Sequence, residues 1–185
     1  MTKITKQKRT SKAEWLEAAL AALENEGIDG VKIERLAKDL KISRSGFYWH
    51  FQDRSELLTE MLEYWRREYT EVVFKRFLNT EMEPDETLYA VMQMIVEHRL
   101  NRLEIHMRAW ADNDPDAAKV VKNIYQQRLE FLKGLFSAMG FTGCDLEMRA
   151  QLWLCYATHG SSMFDAFPCD KGEDPIKVRH TILTS

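Results

Sequence analysis

Cysteine is scarce in this chain of 185 residues, and the three that occur follow no C-x-x-C pattern. Cys144, Cys155 and Cys169 are also odd in number, which argues against a disulfide scaffold. No apolar run approaches the ~20 residues that are needed to cross a bilayer. The first residues are basic and polar without an apolar stretch, so we expect no secretory signal and a reducing, cytoplasmic environment.

The sequence also lacks the alternating apolar pattern of β-strands, internal repeats and low-complexity segments. Apolar residues instead recur at helical spacing, and this periodicity predicts an all-α fold of about nine helices. The nucleophile-elbow, Gly-rich phosphate-loop and H-E-x-x-H motifs are absent. We therefore expect neither an enzyme nor a bound cofactor.

Charge is distributed unevenly, although the net charge is only −3. Residues 1–51 carry ten Lys and Arg against seven Asp and Glu, whereas the rest of the chain carries sixteen against twenty-two. The first twelve residues hold cations and no acid: Lys3, Lys6, Lys8, Arg9 and Lys12. Such a basic arm can contact phosphates or a minor groove, and it can equally be a solvated chain start.

Residues 30–54 predict two short helices joined by a tight turn. Apolar residues at helical spacing give the first helix one buried face; they are Val31, Ile33, Leu36, Ala37 and Leu40. The turn falls at Lys41-Ile42. Ser43 then stands where a hydroxyl accepts the N-cap hydrogen bond of the second helix.

The second of these helices begins with small and basic residues and continues with five rings in a row. The run is Arg44, Ser45, Gly46, Phe47, Tyr48, Trp49, His50 and Phe51. Neighbours on a helix point about 100° apart, so five consecutive rings cannot all face one core. Such a helix suits the major groove, where its first residues read base edges and the others hold phosphates. A core helical hairpin with Tyr48 and Trp49 at its rim explains the same pattern.

The run S-R-S-G-F-Y-W-H-F-x-D-R-S-E-L-L resembles the recognition helix, and the start of the next helix, of the TetR/AcrR family of bacterial transcriptional regulators. The matching residues are Tyr48, His50, Phe51, Arg54, Leu57 and Leu58, with Gly30, Leu36 and Ala37 upstream. Two positions differ from the family pattern. Lys32 replaces the usual capping Thr or Ser, and Lys41 replaces the usual turn glycine, so we expect Lys41 in a left-handed conformation.

The resemblance implies a helix–turn–helix DNA-binding domain over residues 1–51 and a helical ligand-binding and dimerisation domain over residues 52–185. It implies a cytoplasmic homodimer that represses transcription from a palindromic double-stranded operator and is released by a small-molecule effector. Arg44 and Ser45 are then expected to read bases, with Gly46 permitting close approach. The other residues expected at the DNA are Lys32, Ser43, Tyr48, Trp49, His50 and Arg54.

Capping patterns mark where the other helices begin. Residues 11–14 form a capping box before an Ala-rich helix, and residues 53–56 form a second box before a helix that runs to about residue 79. Later helices are expected to begin at Glu83-Pro84, at Asp114-Pro115 and at Asp174-Pro175. The last long helix is expected to have Asp145 as its cap.

Large, soft side chains in the C-terminal part predict a mostly apolar ligand pocket between helices. The candidates are Trp65, Met92, Met107, Trp110, Tyr125 and Trp153. A plain core would have the same composition. Arg99, Arg102, His106 and Arg108 are candidate anchors for an anionic or polar group.

The penultimate helix has more apolar surface than one small domain needs, as well as small residues that allow a partner helix to approach. We expect this helix and the final one to pair with their symmetry mates in the four-helix interface of a two-fold dimer. The interface candidates are Leu152, Tyr156, Gly160, Met163 and Phe164. Burial within the monomer is the alternative.

Two further interpretations stay open at this point. Cys155 and His159 lie four apart, as two metal ligands can, but two ligands are too few for a structural zinc site and cysteine is commonly a small buried hydrophobe. The whole chain could also be a helical ligand- or protein-binding module that keeps its helix–turn–helix as scaffold. Absence of salt-dependent DNA binding would favour that module.

Overall fold

The computed structural model describes residues 10–78, 80–163 and 172–185, and the side chains of these except residues 161–163. Within these ranges the chain forms α-helices and no strand, which confirms the all-α prediction. The helices are α1 Lys12–Glu26, α2 Ile33–Asp39, α3 Arg54–Arg66, α4 Val72–Phe77, α5 Pro84–Glu97, α6 Glu104–Ala111, α7 Pro115–Ala138, α8 Gly143–Met163 and α9 Pro175–Thr184. None of the described helices has the length and apolarity that a membrane span requires.

Three short segments have other helix types. Ile28–Gly30 and Arg44–Trp49 are 3-10 helices, and the second of them is the two-turn helix expected after the tight turn. Arg67–Glu71 is a π-helical segment that joins α3 directly to α4. The predicted long helix is therefore confirmed, but its hydrogen-bond pattern changes in the middle.

The chain divides into two compact units, Met1–Tyr64 and Trp65–Ser185. The first eleven residues of α3 belong to the first unit because they are tied to α1. The Lys12 Nζ lies 2.9 Å from the Glu60 Oε1, and the Tyr64 hydroxyl donates to the Glu17 carboxylate. The functional division predicted at residues 51 and 52 stays a prediction.

The core of the first unit is built from aromatic and aliphatic side chains of α1, α2, the 3-10 helix and α3. The Trp15 and Phe47 rings meet edge to face with centroids 5.3 Å apart, and Phe47 stacks on Phe51 at 5.1 Å. The most deeply buried members are Trp15, Leu20, Leu23, Leu36, Phe47, Phe51, Leu57 and Met61. These contacts hold the 3-10 helix Arg44–Trp49 in place from its inner side.

The structure confirms the capping box of α1. The Glu14 N–H donates to the Ser11 Oγ at 3.2 Å, and the Ser11 N–H donates to the Glu14 carboxylate at 2.7 Å. Lys41 has the expected left-handed backbone, with φ at 57°. This conformation costs a residue with a side chain roughly 1–2 kcal/mol.

Two predicted caps are wrong. Ser43 does not cap the 3-10 helix, because its hydroxyl makes a 2.7 Å hydrogen bond with the Ser45 hydroxyl instead. Asp145 does not start α8, which already begins at Gly143, and its carboxylate accepts from the Arg149 Nε at 2.9 Å. The caps predicted at Asp114 and Asp174 are confirmed, since each carboxylate accepts backbone N–H groups of the helix that follows.

The core of the second unit lies between α4, α5, α7 and α8. Its buried members include Val73, Phe77, Leu88, Val91, Met92, Leu132, Phe136 and Trp153. Helix α9 is attached to α5 by polar contacts. The Tyr89 hydroxyl donates to Asp174 at 2.8 Å, and His180 lies 2.9 Å from the Asp85 carboxylate.

Candidate functional site

The five consecutive rings of the 3-10 helix separate into an inner and an outer set. Phe47 and Phe51 are 0% and 2% exposed and belong to the core. Tyr48 and Trp49 are 62% and 79% exposed. Helical geometry thus divides the rings as the sequence argument predicted, and it presents two large aromatic side chains to solvent.

Arg44 opens the same helix and is paired across the turn. Its guanidinium lies 2.5 Å from the Glu34 carboxylate of α2, and both side chains are largely exposed. The pKa of Glu34 is lowered, first by a hydrogen bond from its own backbone N–H and then by Arg44. The pair therefore links α2 to the start of the 3-10 helix on the exposed side of the first unit.

The remaining small and basic candidates lie on the exposed side of this segment. Lys32 precedes α2 with an extended backbone and an exposed side chain. Ser43 and Ser45 are exposed and bonded to each other. A Cβ at Gly46 would meet Ile42 Cδ1 at 3.6 Å, an ordinary contact, so the interior of the unit does not require glycine there.

His50 and Arg54 serve the fold of the first unit. The His50 Nε2 donates to the Thr10 carbonyl oxygen, 2.8 Å away. Arg54 donates through Nε to the Val31 carbonyl at 2.7 Å and through a terminal nitrogen to the Ile28 carbonyl at 2.9 Å. The sequence offered no signal for the Arg54 bonds, because their acceptors lie 26 and 23 positions earlier in an irregular turn.

The second unit contains an apolar cavity of about 50 Å³. Its walls come from α4, α5, α7 and α8, with Phe74, Val91, Phe131 and Trp153 among the apolar side chains that line it. Of the six predicted pocket residues, Trp153 lines this cavity. Trp65, Met92, Met107 and Trp110 are 0–3% exposed and lie among the buried residues of the unit.

A buried polar network forms one side of the cavity. Arg128 donates to the Glu104 carboxylate at 2.8 Å, and through Nε and a second terminal nitrogen to the Thr70 hydroxyl at 2.9 and 2.7 Å. The Tyr125 hydroxyl donates to the other Glu104 oxygen at 2.7 Å. The Arg128 guanidinium also lies over the Trp65 ring, 5.2 Å from its centroid.

The environment of the network settles the protonation of its tyrosine. Burial, followed by the negative charge of Glu104, raises the pKa of Tyr125. The phenol therefore stays protonated and acts as a donor. Sequence reasoning had missed Thr70, Glu104 and Arg128, since residues of these types at such separations follow no recognisable motif.

Tyr125 also borders a second, outer feature. A surface groove of about 390 Å³ runs between α6 and α7 and reaches α8 at Leu154. Its cationic residues are Arg108, a predicted polar anchor, and Lys122. Leu154 lines both the groove and the apolar cavity.

Other predicted anchors lie nearby or elsewhere in the second unit. Arg102 donates to the Tyr69 hydroxyl at 2.8 Å. Arg99 is exposed and has a positive φ of 49° in the turn between α5 and α6. His159 Nδ1 lies 2.7 Å from the Thr158 hydroxyl, and no group of three potential metal-ligating side chains occurs in the described ranges.

The predicted dimer residues have mixed surroundings. Leu152 is 53% exposed on α8, and Met148, one turn earlier, is 46% exposed. The Tyr156 ring carries the Arg179 guanidinium of α9 at 3.8 Å. A Cβ at Gly160 would lie 2.9 Å from the same ring, so this glycine makes room for Tyr156 of its own helix.

Several predicted residues lie outside the described part of the chain. These are Phe164, the side chain of Met163, the basic arm residues Lys3, Lys6, Lys8 and Arg9, and Cys169.

Comparison with known proteins finds a family and relatives that the first unit resembles. Residues 16–61 match the family described as "Bacterial regulatory proteins, tetR family". The uncharacterized HTH-type transcriptional regulator YuxN of Bacillus subtilis (strain 168) is 30% identical over 91 residues, which cover 45% of this chain. The chain spans only 30% of the length of that relative.

Solved structures share the fold over nearly the whole chain. A transcriptional regulator from Rhodococcus sp. Rha1 superimposes with a TM-score of 0.69 at 18% identity, covering 95% of this chain and 94% of the other. AibR in complex with isovaleryl coenzyme A and operator DNA superimposes with a TM-score of 0.66 at 18% identity, covering 94% and 95%. The helix–turn–helix segment of this chain therefore matches the tetR family of bacterial regulatory proteins, and its whole fold is shared with solved transcriptional regulators.

Proposed function

We propose that this chain is a sequence-specific DNA-binding transcriptional regulator, a repressor that a small-molecule effector releases from its operator. The observation that carries the proposal is the exposure of Tyr48 and Trp49 beside Arg44 on a short helix whose inner rings are buried. Neighbouring large apolar side chains that stay exposed beside polar and charged residues are typical of an interaction surface. A short helix with this composition fits the major groove of DNA.

The candidate DNA residues divide by chemistry. Arg44 and Ser45 at the start of the helix read base edges, and the arginine exchanges the Glu34 carboxylate for guanine acceptors when DNA binds. Tyr48, Trp49 and Lys32 hold phosphates or the thymine methyl group. Ser43, whose hydroxyl is hydrogen-bonded to that of Ser45, also contacts the DNA backbone. Gly46 allows the sugar–phosphate chain to come close.

His50 and Arg54 chiefly position the DNA-binding segment in this proposal, and Arg54 also contacts DNA. Arg54 fixes the turn before α2 through two carbonyls and keeps one terminal nitrogen for a phosphate. His50 holds the Thr10 carbonyl and so fixes the segment that leads into α1. Phosphate contacts of this kind make binding strongly dependent on salt.

The effector acts in the second unit. The apolar cavity and the Thr70–Arg128–Glu104 network share residues, and Thr70 lies in the π segment that continues from α3. A ligand that enlarges the cavity changes the bonds that Arg128 makes to Thr70. We propose that this shifts the protein toward a state with lower operator affinity. That AibR was solved with isovaleryl coenzyme A and operator DNA makes acyl thioesters the first effectors to test.

The operator-binding form is a cytoplasmic homodimer in this proposal. Met148 and Leu152 on α8 and Val178 and Ile182 on α9 leave apolar side chains exposed in the monomer. Two copies related by a two-fold axis would cover these side chains in a four-helix contact. A palindromic operator then presents one half-site to the 3-10 helix Arg44–Trp49 of each copy.

Fluorescence anisotropy with a labelled fragment from immediately upstream of the coding region tests the DNA function. We expect tight binding that exceeds binding to a scrambled fragment and weakens steeply between about 50 and 200 mM salt. Arg44→Ala should lose roughly 1–3 kcal/mol of discrimination at one base pair. Lys38→Ala, which removes an exposed cation of α2 outside the candidate set, is the matched control.

Two outcomes would contradict the proposal. Equal, weak binding of the wild-type chain to both fragments would contradict sequence-specific DNA binding. No binding at any salt concentration would favour the alternative, a ligand- or protein-binding module that keeps the helix–turn–helix as scaffold.

A further inference from the structure

Two neighbouring spaces in the second unit differ in chemistry. The inner cavity is lined largely by hydrocarbon, with the buried Glu104–Arg128 pair on one side. The outer groove between α6 and α7 is larger and carries Arg108 and Lys122 beside apolar side chains such as Val121 and Leu129. A thin partition separates them, because Leu154 lines both and Tyr125 reaches from the groove to Glu104.

The cationic side chains of the groove are less completely paired than Arg128, the arginine beside the inner cavity. Lys122 makes no ion pair with any residue of the described ranges, and Arg108 approaches Asp112 only to 3.8 Å, with both side chains more than half exposed. Arg128, by contrast, is 11% exposed and bonded at three nitrogens. Because Asp112 also lines the groove, its charged side chains give a surplus of one positive charge next to apolar walls.

The inner cavity by itself is too small for an effector. Its 50 Å³ would hold only a few water-sized groups, whereas ligand pockets are commonly about 300–1,000 Å³. The outer groove, at about 390 Å³, falls within that range. A ligand that uses both spaces must have a narrow apolar end and a larger anionic end.

We propose that the effector is an anionic amphiphile whose charged head lies in the α6–α7 groove at Arg108 and Lys122 and whose hydrocarbon chain passes Tyr125 and Leu154 into the inner cavity. The inference rests on the proposed function, since it names the ligand class of the regulatory unit. Tyr125 and Leu154 are positioning residues that determine how much of the chain enters. Passage of the chain moves the Tyr125 hydroxyl away from Glu104 and thereby loosens the network that holds Thr70.

Isothermal titration calorimetry on the full chain tests whether the charged head of the amphiphile binds in the groove. The probes are octanoyl coenzyme A, octanoate, coenzyme A alone and octanol. We expect the two anionic amphiphiles to bind more tightly than coenzyme A or octanol, and the tighter of the two identifies a thioester or a free carboxylate as the source. Lys122→Gln and Arg108→Gln should each weaken the anionic amphiphile about three- to tenfold and leave octanol unchanged. Lys119→Gln, an exposed α7 cation outside the groove, is the control.

A chain-length series tests the inner cavity. Affinity of acyl thioesters should rise by up to about fourfold for each added methylene that enters apolar surroundings. Ala157→Val, which adds two methyl groups inside the cavity, should flatten this rise and leave affinity for the head unchanged. The thermal midpoint of the variant is measured alongside, so that a folding defect is recognised.

The outcomes separate this inference from the proposed function. Operator binding is measured independently by anisotropy and does not need the amphiphile. If the operator binds but the amphiphiles do not, or if Lys122→Gln and Arg108→Gln behave like Lys119→Gln, the inference is overturned and the regulator stands. Loss of affinity in both groove variants, together with a flattened series in Ala157→Val, supports it.

Discussion

Replacing Glu104 by glutamine should destabilise the second unit by about 3 kcal/mol or more. The substitution keeps the size of the side chain and an oxygen that accepts from Tyr125. It removes the charge that neutralises Arg128. Any loss of stability therefore reports on the ion pair and not on a cavity.

The expected magnitude follows from how dry the pair is. The Glu104 side chain is 2% exposed and that of Arg128 is 11% exposed. Removing one partner of a buried pair leaves an uncompensated charge and costs about 3–5 kcal/mol. Because the guanidinium retains the Thr70 hydroxyl and the faces of Trp65 and Tyr125, we expect a value near the lower end of that range.

Urea denaturation followed by circular dichroism measures the free energy of unfolding, at one protein concentration throughout because the proposed dimer contributes to stability. Glu147→Gln is the matched control. Glu147 pairs with Lys133 at 2.7 Å, but its side chain is 43% exposed. Exposed pairs contribute about 0–1 kcal/mol, so this control should change stability little.

A second variant separates charge burial from packing. Glu104→Leu combined with Arg128→Met replaces the pair by apolar side chains and should recover most of the lost stability. A cost below about 1 kcal/mol for Glu104→Gln, equal to that of the control, would refute the argument. It would mean that water reaches Arg128 and that the network is not buried.

Three further predictions concern other contacts. Arg54→Met should lower the stability of the first unit by about 2–3 kcal/mol, because two backbone carbonyls lose their donor; thermal unfolding of the free chain measures this in the absence of DNA. Glu34→Gln should strengthen binding to any DNA fragment, because it frees Arg44 and removes an acid from the interface; unchanged anisotropy would contradict this. Asp114→Ala should cost about 1–2 kcal/mol, because α7 loses its cap and the Trp110 N–H loses its acceptor. The pKa of Asp114 is lowered, first by a backbone N–H of α7 and next by Trp110. Its contribution to the free energy of unfolding is therefore present above its unfolded pKa near 4 and is lost as the pH falls through the lower folded value. In Asp114→Asn this loss of stability in acid should be absent.

The positions of most helices and the exposed rings of the 3-10 helix could be predicted from sequence because both depend on local chemistry. The capping box at Ser11 and Glu14, the carboxylate at Asp114 and the row of rings after Gly46 act over a few residues. Their effects are therefore visible in short windows. The left-handed backbone at Lys41 was expected from the resemblance instead, because Lys41 stands where the family has a turn glycine.

The parts that escaped prediction depend on contacts between distant residues. Arg54 binds carbonyls more than twenty positions away, and Glu104 meets Arg128 from another helix. Neither pairing leaves a periodic trace in the sequence. The predicted pocket residues were large and apolar, but size and polarity alone do not distinguish a core side chain such as Met107 from a cavity wall such as Trp153.

The π segment had no sequence signal either, and it changes which residues of the long helix share a face. Thr70 is 2% exposed and lies five positions after the fully buried Trp65, whereas Val73 and Phe77 follow at intervals of three and four. In a regular α-helix residues five apart would point about 140° away from each other. The wider i→i+5 turn accommodates the additional residue and keeps all four side chains inside.

This arrangement makes one stretch of the long helix tolerant of a change in length. Deleting a single residue among positions 66–69 would place Trp65 and Thr70 four apart and restore a regular α-helix with the same inner face. The same deletion after Thr70 would turn Val73 or Phe77 outward and expose part of the core. Natural or designed variants that are one residue shorter in this helix should therefore have lost it between Trp65 and Thr70.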